Sequence, residues 1–519
     1  MQRVQFTVDQ ALHDTQNTRA LEAAAAAACG PHVLMQRAGA AIAQLAQAVA
    51  PHAKRIWIAC GSGNNGGDGL EAAALLHAAG KRVEVSWTGS VDTAPEDSQK
   101  SWHKAIAAGV PFVDRAPKTL GPQDLCIDAL LGIGMSPRPG RAPSPLLLEH
   151  LNAIRHTAAT ILCVDVPSGL IADTGQLAPG FEHTAASPPA NAGPRHTLSL
   201  LTLKPGLFTG VGRDESGTVW LDGLGVDLST QAPSAWLAGA APTTSPRPSP
   251  SRPHASHKGS WGDVAVVGGE GLRQRGMGMT GAALLAASAA LHAGAGRVML
   301  APLDADLLQL PGELPEIMLR RFDKLELENI TTVCGCGGGA AIHALMPELL
   351  VRAQRLVLDA DALNAIAADP KLQLLTRQRA ANPRHITAMT PHPLEAARLL
   401  GCDTATVQAD RLHAAQRLAE LFHCVVNLKG SGSIIAAPEH TPVINATGNA
   451  RLATGGTGDV LAGLLGARLA ALPVDASECL NLAFHATCKA SWQHGWMADH
   501  WSGDSSLTAS ALARSLMPQ

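Results

Sequence analysis

The sequence predicts an α/β protein of two domains, each built on a mainly parallel β-sheet. At 519 residues the chain is longer than one compact core needs. Short apolar runs alternate with Ala- and Leu-rich segments along both halves, which is typical of parallel sheets connected by helices. A Pro- and Ser-rich stretch between the halves favours neither helix nor strand. We therefore expect a domain at 1–240, a linker at 241–257 and a second domain at 258–519.

The apolar runs give the expected strands of both sheets. In the first half these strands are Arg55–Cys60, Arg82–Trp87, Leu125–Ala129 and Ile161–Val166. In the second half they include Asp263–Val267, Arg297–Leu300, Thr331–Cys334, Arg355–Leu358 and Cys424–Leu428. A further Pro- and Ala-rich stretch, 183–196, indicates a surface insertion. Because parallel sheets bind ligands outside the carboxyl ends of their strands, the polar motifs that follow these runs are the candidate sites.

Composition excludes several classes of partner. The net charge is −3 and the chain has no Tyr and only seven Phe, so neither a nucleic acid nor an anionic membrane is an expected partner. The N-terminus lacks the layout of a secretory signal, and the apolar run 23–28 is too short to span a bilayer. The ten Cys lie mostly in apolar runs, which suits reduced thiols in a cytoplasmic protein. The spacing Cys334-Gly-Cys336 differs from that of a zinc pair and indicates a structural role.

A glycine-rich motif follows the first strand of the first half. Gly61–Gly69 contains Asn64, Asn65 and Asp68 and precedes an expected helix, Leu70–Ala79. The glycine spacing differs from the dinucleotide-binding fingerprint, and the side chains add oxygen atoms to the backbone donors. A plain structural turn remains the alternative.

Two more strands of the first half, Leu125–Ala129 and Ile161–Val166, end in acidic motifs. Asp128 lies at the end of the first, and Asp165 and Ser168 lie at the end of the second. Asn65, Asp128 and Ser168 together form a set of hard oxygen ligands that suits a cation, which leaves Asp165 free to act on a ligand. Each acid could instead be a helix cap.

Four polar motifs of the second half follow strands. One is Gly335–Gly339, another is the acidic run Asp359–Asn364, the third is Thr390–Glu395 and the fourth is Asn427–Ser433, in which Lys429 can neutralise phosphate charge. His392 stands at the entrance of a helix whose first turn holds Pro393. His392 could be an ordinary loop histidine, and Asp359 and Asp361 could be helix caps.

The segment Asn445–Asp459 is the most informative motif of the chain. Gly455, Gly456 and Gly458 let the backbone approach a phosphate at the start of an apolar helix, and Asp459 is placed to take a proton from a hydroxyl. With Lys429, and with Glu395 or Asp361 to place Mg²⁺, this pattern indicates phosphoryl transfer. A tight turn with an acidic cap is the alternative.

The first half resembles the NAD(P)H-hydrate epimerase domain. The resemblance rests on Gly63–Gly69, Asp128–Gly134 and Asp165–Gly169, with flanking segments Leu34–Gly39 and Leu203–Leu207, although Pro143 stands where a Tyr is usual. It implies a Rossmann-like three-layer sandwich that interconverts the R and S forms of hydrated NADH and NADPH. By the same resemblance Asn65, Asp128 and Ser168 hold K⁺, and Asp165 contacts the substrate and is the candidate for proton transfer. The implied substrate-binding residues are Asn64, Asn65, Gly66, Gly67, Asp68, Gly132, Ile133, Gly134, Met135, Ser136, Pro137, Arg138 and Asp165.

The second half is similar to the ADP- or ATP-dependent NAD(P)H-hydrate dehydratase domain of the ribokinase-like superfamily. The similarity rests on the motifs above and on Lys258-Gly259, Val266–Gly269 and Gly281-Ala282. It implies that a phosphoryl group is transferred to the hydroxyl of the hydrated ring and that phosphate then leaves. The implied substrate contacts are Ala282, Gly337, His392 and Asp459, and the implied nucleotide contacts are Lys429, Gly430, Ser431, Gly432, Ser433 and Gly458.

The two resemblances together imply a bifunctional repair enzyme for hydrated nicotinamide cofactors, in the fused order of bacterial members. We expect the substrates to be hydrated NADH and NADPH with ADP or ATP, and the protein to be a homo-oligomer. The alternative is a small-molecule kinase for a vitamin or sugar alcohol, fused to a nucleotide-binding module without catalytic activity.

Overall fold

The computed structural model describes residues 1–135, 142–183, 192–240, 254–303, 314–473, 479–503 and 505–518, with backbone alone at 273 and 274. The strands are β1 Gln2–Arg3, β2 Gln10–Leu12, β3 Ile56–Cys60, β4 Val83–Trp87, β5 Leu125–Ala129, β6 Thr160–Val164, β7 Arg195–Leu200, β8 Thr218–Asp222, β9 Ala235–Leu237, β10 Asp263–Gly268, β11 Arg297–Pro302, β12 Met318–Leu319, β13 Thr331–Cys334, β14 Arg355–Leu358, β15 Ile386–Met389, β16 Val425–Leu428, β17 Ser433–Ala436 and β18 Val443–Asn445. The helices are α1 Thr15–Cys29, α2 Val33–Val49, α3 Asn64–Ala78, α4 Glu96–Ala107, α5 Pro145–Arg155, α6 Gly212–Ser216, α7 Leu272–Arg275, α8 Thr280–His292, α9 Met346–Arg352, α10 Ala360–Ala368, α11 Pro370–Gln378, α12 Pro393–Leu400, α13 Thr404–Ala409, α14 Arg411–Phe422, α15 Thr457–Ala470, α16 Cys479–Asp499 and α17 Ala509–Ser515.

The chain divides into two compact units, Met1–Gln5 with Ala11–Ala235 and Phe6–Gln10 with Trp236–Gln519. Residues 6–10 and 236–240 therefore belong with the second half, whereas the sequence placed them in the first. The reason is strand pairing, since β9 extends the second sheet beyond β18 and β2 follows β9. The expected linker falls mostly on 241–253, which lies outside the described residues.

The first unit holds a seven-stranded sheet in the order β1-β8-β7-β6-β5-β3-β4, and only β1 runs antiparallel to its neighbour. Alternate residues of β3 face opposite sides. Ile56 and Ile58 pack with residues of α2 and α3, whereas Trp57 packs with residues of α5. Helices therefore cover both faces, which confirms the expected three-layer arrangement.

The second unit holds an eleven-stranded sheet in the order β12-β11-β10-β13-β14-β15-β16-β17-β18-β9-β2. The strands from β12 to β16 are parallel, and β17 is antiparallel to both its neighbours. Glycines of α15 allow close packing on one face of this sheet. A Cβ on Gly463 would lie 2.0 Å from the carbonyl oxygen of Ala286 in α8, and one on Gly466 would lie 2.4 Å from Val333 in β13.

The expected α/β class is confirmed in both units, and every expected strand forms within two residues of its expected bounds. The stretch 183–196 differs from the expected insertion at its end, where Arg195 and His196 open β7, and 184–191 lie outside the described residues. All ten cysteines are free thiols. Among the residues that the structure describes, none of the helices is long and apolar enough to cross a membrane.

Candidate active sites

The first candidate site lies at the carboxyl ends of β3 and β5. The chain passes from β3 to β4 on one side and then returns to β5 on the other, and ligands bind in the crevice that such a reversal creates. Helix α3 begins at Asn64 rather than at the expected Leu70, so Asn64, Asn65 and Asp68 lie in its first turns. The glycines of this motif serve close packing, since a Cβ on Gly66 would lie 1.9 Å from the carbonyl oxygen of Gly61.

Asp128 and Ser168 are in direct contact. The Ser168 hydroxyl donates to Asp128 Oδ1 at 2.5 Å, and the Ser168 backbone N–H donates to Asp128 Oδ2 at 3.0 Å. Asn65 packs on the neighbouring loop, because a Cβ on Gly132 would lie 3.2 Å from Asn65 Oδ1. Burial raises the pKa of Asp128 even though the Ser168 bonds oppose this. Asn65 Nδ2 is buried and has no hydrogen-bond partner among the described residues.

Asp165 follows β6 in a strained conformation and is paired with a buried lysine. Its φ of 69° lies in the left-handed region, which residues other than Gly rarely adopt. Lys204 Nζ is fully buried and donates to Asp165 Oδ1, to the carbonyl oxygen of Leu200 at 2.7 Å and to that of Thr202 at 3.0 Å. The backbone and Lys204 therefore fix the Asp165 carboxylate.

Further charged groups lie close to Asp165. Burial and then the neighbouring carboxylates of Asp165, Glu22 and Glu71 raise the pKa of Asp68 well above its usual range. Glu22 belongs to α1, and burial together with Asp165 raises its pKa as well. Lys204 lies in the flanking segment Leu203–Leu207, but its pairing with Asp165 was not expected, and Glu22 lies outside every motif, because each approaches Asp165 only through the fold. Of the expected substrate residues, Ser136, Pro137 and Arg138 lie outside the described residues.

The second candidate site lies at the carboxyl ends of four adjacent parallel strands, β13, β14, β15 and β16. Lys429 Nζ donates to Asp359 Oδ1 at 2.6 Å, and Thr390 Oγ1 donates to the same oxygen at 2.7 Å. Asp359 makes no capping bond to the helix that follows it, so the alternative of a helix cap is wrong for this residue. Burial lowers the pKa of Lys429, but the carboxylates of Asp359 and Glu395 outweigh burial and leave the pKa raised.

Asp459 lies in the first turn of α15, beside the Lys429 ammonium. The helix begins at Thr457, after Gly456, whose φ is 93°. As at any helix start, the backbone N–H groups of the first turn point away from the body of the helix. A Cβ on Gly458 would lie 3.5 Å from Lys429 Nζ. Burial and then the carboxylate of Asp359 raise the pKa of Asp459 to about 6. A base, a cation and a helix N-terminus therefore meet at one point.

The loop that leads to Asp459 is held by α16. Asn445 donates to the carbonyl oxygen of Ser491 at 3.0 Å, and Thr447 Oγ1 donates to that of Trp492 at 3.0 Å. His494 is buried, and its Nε2 lies 2.8 Å from the carbonyl oxygen of Thr457. Burial lowers the pKa of His494 to about 4, so the ring is neutral and Nε2 carries the proton that it donates.

His392 and Glu395 form a reciprocal cap at the start of α12. His392 Nδ1 accepts from the backbone N–H of Leu394 at 3.1 Å, and Glu395 Oε2 accepts from the backbone N–H of His392 at 2.8 Å. Since Nδ1 accepts, the proton of the neutral ring is on Nε2, which lies 3.3 Å from Glu395 Oε1. Burial raises the pKa of Glu395 to about 6, and burial lowers that of His392.

Two acidic side chains, the buried Glu270 and the half-buried Asp361, fix the glycine-rich loop Gly335–Gly339. Glu270 Oε1 accepts from the backbone N–H groups of Ala340 and Ala341, at 3.1 and 3.2 Å. Asp361 Oδ2 accepts from Gly339 N–H at 2.7 Å. Within this loop Gly337 lies against α8, since a Cβ there would be 3.0 Å from that of Ala282. Gly337 and Ala282 are therefore neighbours, as two residues of one binding surface must be.

The backbone of the turn Lys429–Ser433 is held by hydrogen bonds from the buried Arg411. Arg411 is 1% exposed, and its guanidinium donates to the carbonyl oxygens of Leu428, Lys429 and Gly432, at 3.3 to 3.5 Å. Gly430 has a φ of 143°, and a Cβ there would lie 2.8 Å from the guanidinium. Neither Arg411 nor Glu270 was expected from the sequence, because both lie outside the motifs that they support.

Known proteins match both halves of the chain. The profile of a family described as NAD(P)H-hydrate dehydratase matches residues 265–518, and that of the YjeF-related protein N-terminus matches 31–206. The bifunctional NAD(P)H-hydrate repair enzyme Nnr of Escherichia coli is 35% identical over 487 residues, covering 90% of this chain and 84% of that protein. The chain belongs to the bifunctional NAD(P)H-hydrate repair enzyme family.

Other similarities concern the second half of this hydrate repair family member. The ADP-dependent (S)-NAD(P)H-hydrate dehydratase of Neisseria meningitidis is 40% identical over 276 residues, covering 51% of this chain and 86% of that protein. A solved structure of the ADP/ATP-dependent NAD(P)H-hydrate dehydratase from Bacillus subtilis, co-crystallised with ATP/Mg²⁺, is 27% identical and covers 51% of this chain and 91% of that chain, with a TM-score of 0.41. Family membership confirms the prediction, made from the sequence motifs, that the protein is a hydrate repair enzyme.

Proposed function

We propose that the first unit interconverts the R and S forms of hydrated NADH and NADPH, and that the second unit dehydrates the S form with ADP or ATP. One observation carries this proposal. In a chain of this family, Lys429, Asp359 and Asp459 meet at the N-terminus of α15. That arrangement supplies the base and the positive charge that transfer of a phosphoryl group to a hydroxyl requires.

A phosphoryl transfer makes the dehydration feasible, because hydroxide is a poor leaving group and phosphate is a good one. Asp459 takes the hydroxyl proton while the hydroxyl oxygen attacks the terminal phosphorus, and AMP leaves from ADP or ADP leaves from ATP. The C–O bond then breaks, phosphate departs with the bonding electrons, and a proton leaves the adjacent ring carbon. The ring double bond is restored, and the overall products are NAD(P)H, phosphate and the shortened nucleotide.

The remaining residues of the second site bind and orient. Lys429–Ser433 and Gly458 would hold the nucleotide phosphates through backbone donors and the Lys429 charge, and Ala282, Gly337 and His392 would hold the hydrated ring. Mg²⁺ fits here, since Asp361 and Glu395 supply carboxylate oxygens, the ligands that this hard cation prefers. One oxygen of each accepts a backbone N–H, and the other makes a longer contact, with Asn364 at 3.5 Å and with His392 at 3.3 Å. When bound, Mg²⁺ would supply charge neutralisation on the phosphates.

In the first site, Asp165 would move the proton during epimerisation, held by Lys204. Asn64–Asp68 and Gly132–Arg138 would surround the substrate. K⁺ fits the set Asn65, Asp128 and Ser168, because the ligand atoms are hard oxygens: the Ser168 hydroxyl lies against Asp128 Oδ1, and Asn65 Oδ1 borders the loop at Gly132. When bound, K⁺ would offset the charge of the buried Asp128 carboxylate.

The deciding experiment gives purified protein the mixed epimers of hydrated NADH, with ADP or ATP, Mg²⁺ and K⁺, and follows recovery of NADH absorbance. We expect Asp459→Asn to lower the dehydration rate by roughly 10²- to 10⁴-fold, because the proton acceptor is lost while the shape is kept. Asp323→Asn, on the exposed surface, serves as the control and should keep the parent rate. Dehydration by Asp459→Asn at the parent rate would overturn the mechanism.

The alternative kinase gives a different outcome in the same experiment. A small-molecule kinase would consume nucleotide on its own substrate and accumulate a stable phosphorylated product, with no recovery of NADH absorbance. The preference for ADP over ATP, the cytoplasmic location, the homo-oligomeric state and the absence of nucleic-acid and membrane partners stay predictions from the sequence.

A further inference from the structure

The thiol of Cys336 lies among the acidic groups of the second site. Its Sγ and one carboxylate oxygen each of Asp359 and Asp459 lie within 4.8 Å of one another. Cys336 is fully buried between Gly335 and Gly337, whose φ values of 109° and 59° are ones that side chains rarely permit. The sequence indicated a structural role for Cys334-Gly-Cys336, but the backbone turn at the two glycines brings the second thiol to the site.

A thiol with two carboxylates is a donor set for a particular class of metal ion. Zn²⁺ accepts both sulfur and oxygen ligands in tetrahedral sites, whereas Mg²⁺ takes oxygen ligands almost exclusively. With Zn–S near 2.3 Å and Zn–O near 2.1 Å, the ligand atoms of a tetrahedral site lie about 3.5 Å apart. Movements of roughly 1 Å would therefore close the three side chains on such an ion.

Charge favours the same class of ion. The carboxylates of Asp359 and Asp459 together with the Lys429 ammonium carry one net negative charge. Zn²⁺ that binds with release of the thiol proton to solvent brings the group to neutrality, and no oxidant or reductant is needed. Asp459 is partly exposed, so a hydrated ion can reach the group.

We propose that Cys336, Asp359 and Asp459 form an inhibitory binding site for Zn²⁺ and similar thiophilic divalent cations. The ion bonds to Cys336 Sγ and to one oxygen of each carboxylate, and so occupies the base that the proposed dehydration, on which this inference rests, requires. The inhibition competes with the hydrated cofactor, because both need the same Asp459 oxygen.

The test uses Co²⁺ as a spectroscopic substitute for Zn²⁺ on the full chain. A Co²⁺–thiolate bond gives a near-ultraviolet charge-transfer band, which does not depend on any enzymatic activity. We expect the parent to show this band at one equivalent, to lose it when Zn²⁺ is added, and to show Zn²⁺ inhibition that weakens as hydrated NADH is raised. Cys334→Ala is the matched control, since Cys334 is equally buried but faces Met346, and it should behave as the parent.

Cys336→Ala decides the outcome. The band should disappear, and the Zn²⁺ concentration for half-inhibition should rise by roughly tenfold or more. Persistence of the band in Cys336→Ala, or its absence from the parent, overturns the site. A melting temperature measured alongside identifies a misfolded variant, and Cys336→Ser then replaces it with the same expectation. Parent protein that shows the band but no dehydration refutes the proposed function alone, and parent protein that dehydrates without the band refutes the metal site alone.

Discussion

Lys204 is a cation that lies wholly inside the first unit, where its charge is balanced by the mostly buried Asp165 carboxylate. Removing one member of such a pair leaves the other buried and uncompensated. We expect Lys204→Met to lower the free energy of unfolding of the first unit by about 3–5 kcal/mol. Denaturant titration followed by hydrogen exchange in peptides of that unit measures the loss. Lys54→Met, at an exposed lysine, should change it by less than about 0.5 kcal/mol, and equal effects of the two would contradict the pairing.

Glu395 gives a prediction about pH. Its pKa rises from 4.5 to about 6, mainly through burial. The Lys429 ammonium opposes this rise, and the carboxylates of Asp359 and Asp361 add to it. A raised folded pKa means that the contribution of this group to stability is complete below pH 4.5 and is lost as the pH rises through about 6.

Glu395→Gln removes this titration and keeps an oxygen to accept from His392 N–H. Relative to the parent, the variant should therefore be more stable at pH 7 than at pH 4.5 by about 2 kcal/mol. Denaturant midpoints measured at the two pH values give this difference. The exposed Glu420→Gln on α14 is the control, and a pH-independent difference for Glu395→Gln would refute the prediction.

At the residue scale the sequence predicted which side chains lie together at each candidate site better than it predicted the groups that hold them. Asp128, Asp165, Lys429 and Asp459 follow apolar runs, and strand ends of a parallel sheet meet at one edge. Their supports come from distant parts of the chain. Lys204 is 39 positions from Asp165, so no local pattern could join them. Glu270 was missed for the same reason, because it accepts from the backbone N–H of Ala340, which is 70 positions away in the sequence.

At the scale of elements, two helix N-termini contain glycines with opposite requirements. Gly66 of α3 would place a Cβ 1.9 Å from a backbone carbonyl oxygen, whereas Gly281 of α8 has no atom within 4 Å of that position. A Gly→Ala change inside a helix otherwise gains about 0.5–1 kcal/mol. We therefore expect Gly281→Ala to raise the melting temperature and Gly66→Ala to lower it. A higher melting temperature for both variants would contradict this prediction, because it would mean that the backbone at Gly61 shifts at little cost to make room for the new methyl group.

The start of α3 shows why sequence patterns misplace some helix ends. Asn, Gly and Asp are poor helix formers, so Asn64–Gly69 indicated a turn. Tertiary packing outweighs that propensity, because small residues are needed where the helix meets β3 and the turn after it. Pro393 and Glu395, in contrast, carry strong local signals for a helix start, and α12 begins where they indicated.

At the scale of the whole molecule, the two activities are predicted to reside in separable sites. We expect the Asp165→Asn variant to convert only the S form of a hydrated NADH mixture to NADH quickly. Conversion of the R form should then be limited by its spontaneous epimerisation. The Asp459→Asn variant should convert neither the R nor the S form to NADH at a significant rate. A mixture of the two variants in one solution should restore complete recovery of NADH absorbance, because each supplies the site that the other lacks. Failure of the mixture would contradict this division.

The strands β9 and β2 give the chain the connectivity of an insertion, with Ala11–Ala235 placed between two segments of the second unit. Trp236 and Ala238 donate backbone hydrogen bonds to Pro442 and Ile444, at 2.8 and 2.9 Å. A protease site engineered into 241–253 would thus cut the chain without parting its fragments, and they should co-elute until denaturant is added. A gene split at this position would yield a second half with the edge of β18 exposed, and exposed edges recruit foreign strands.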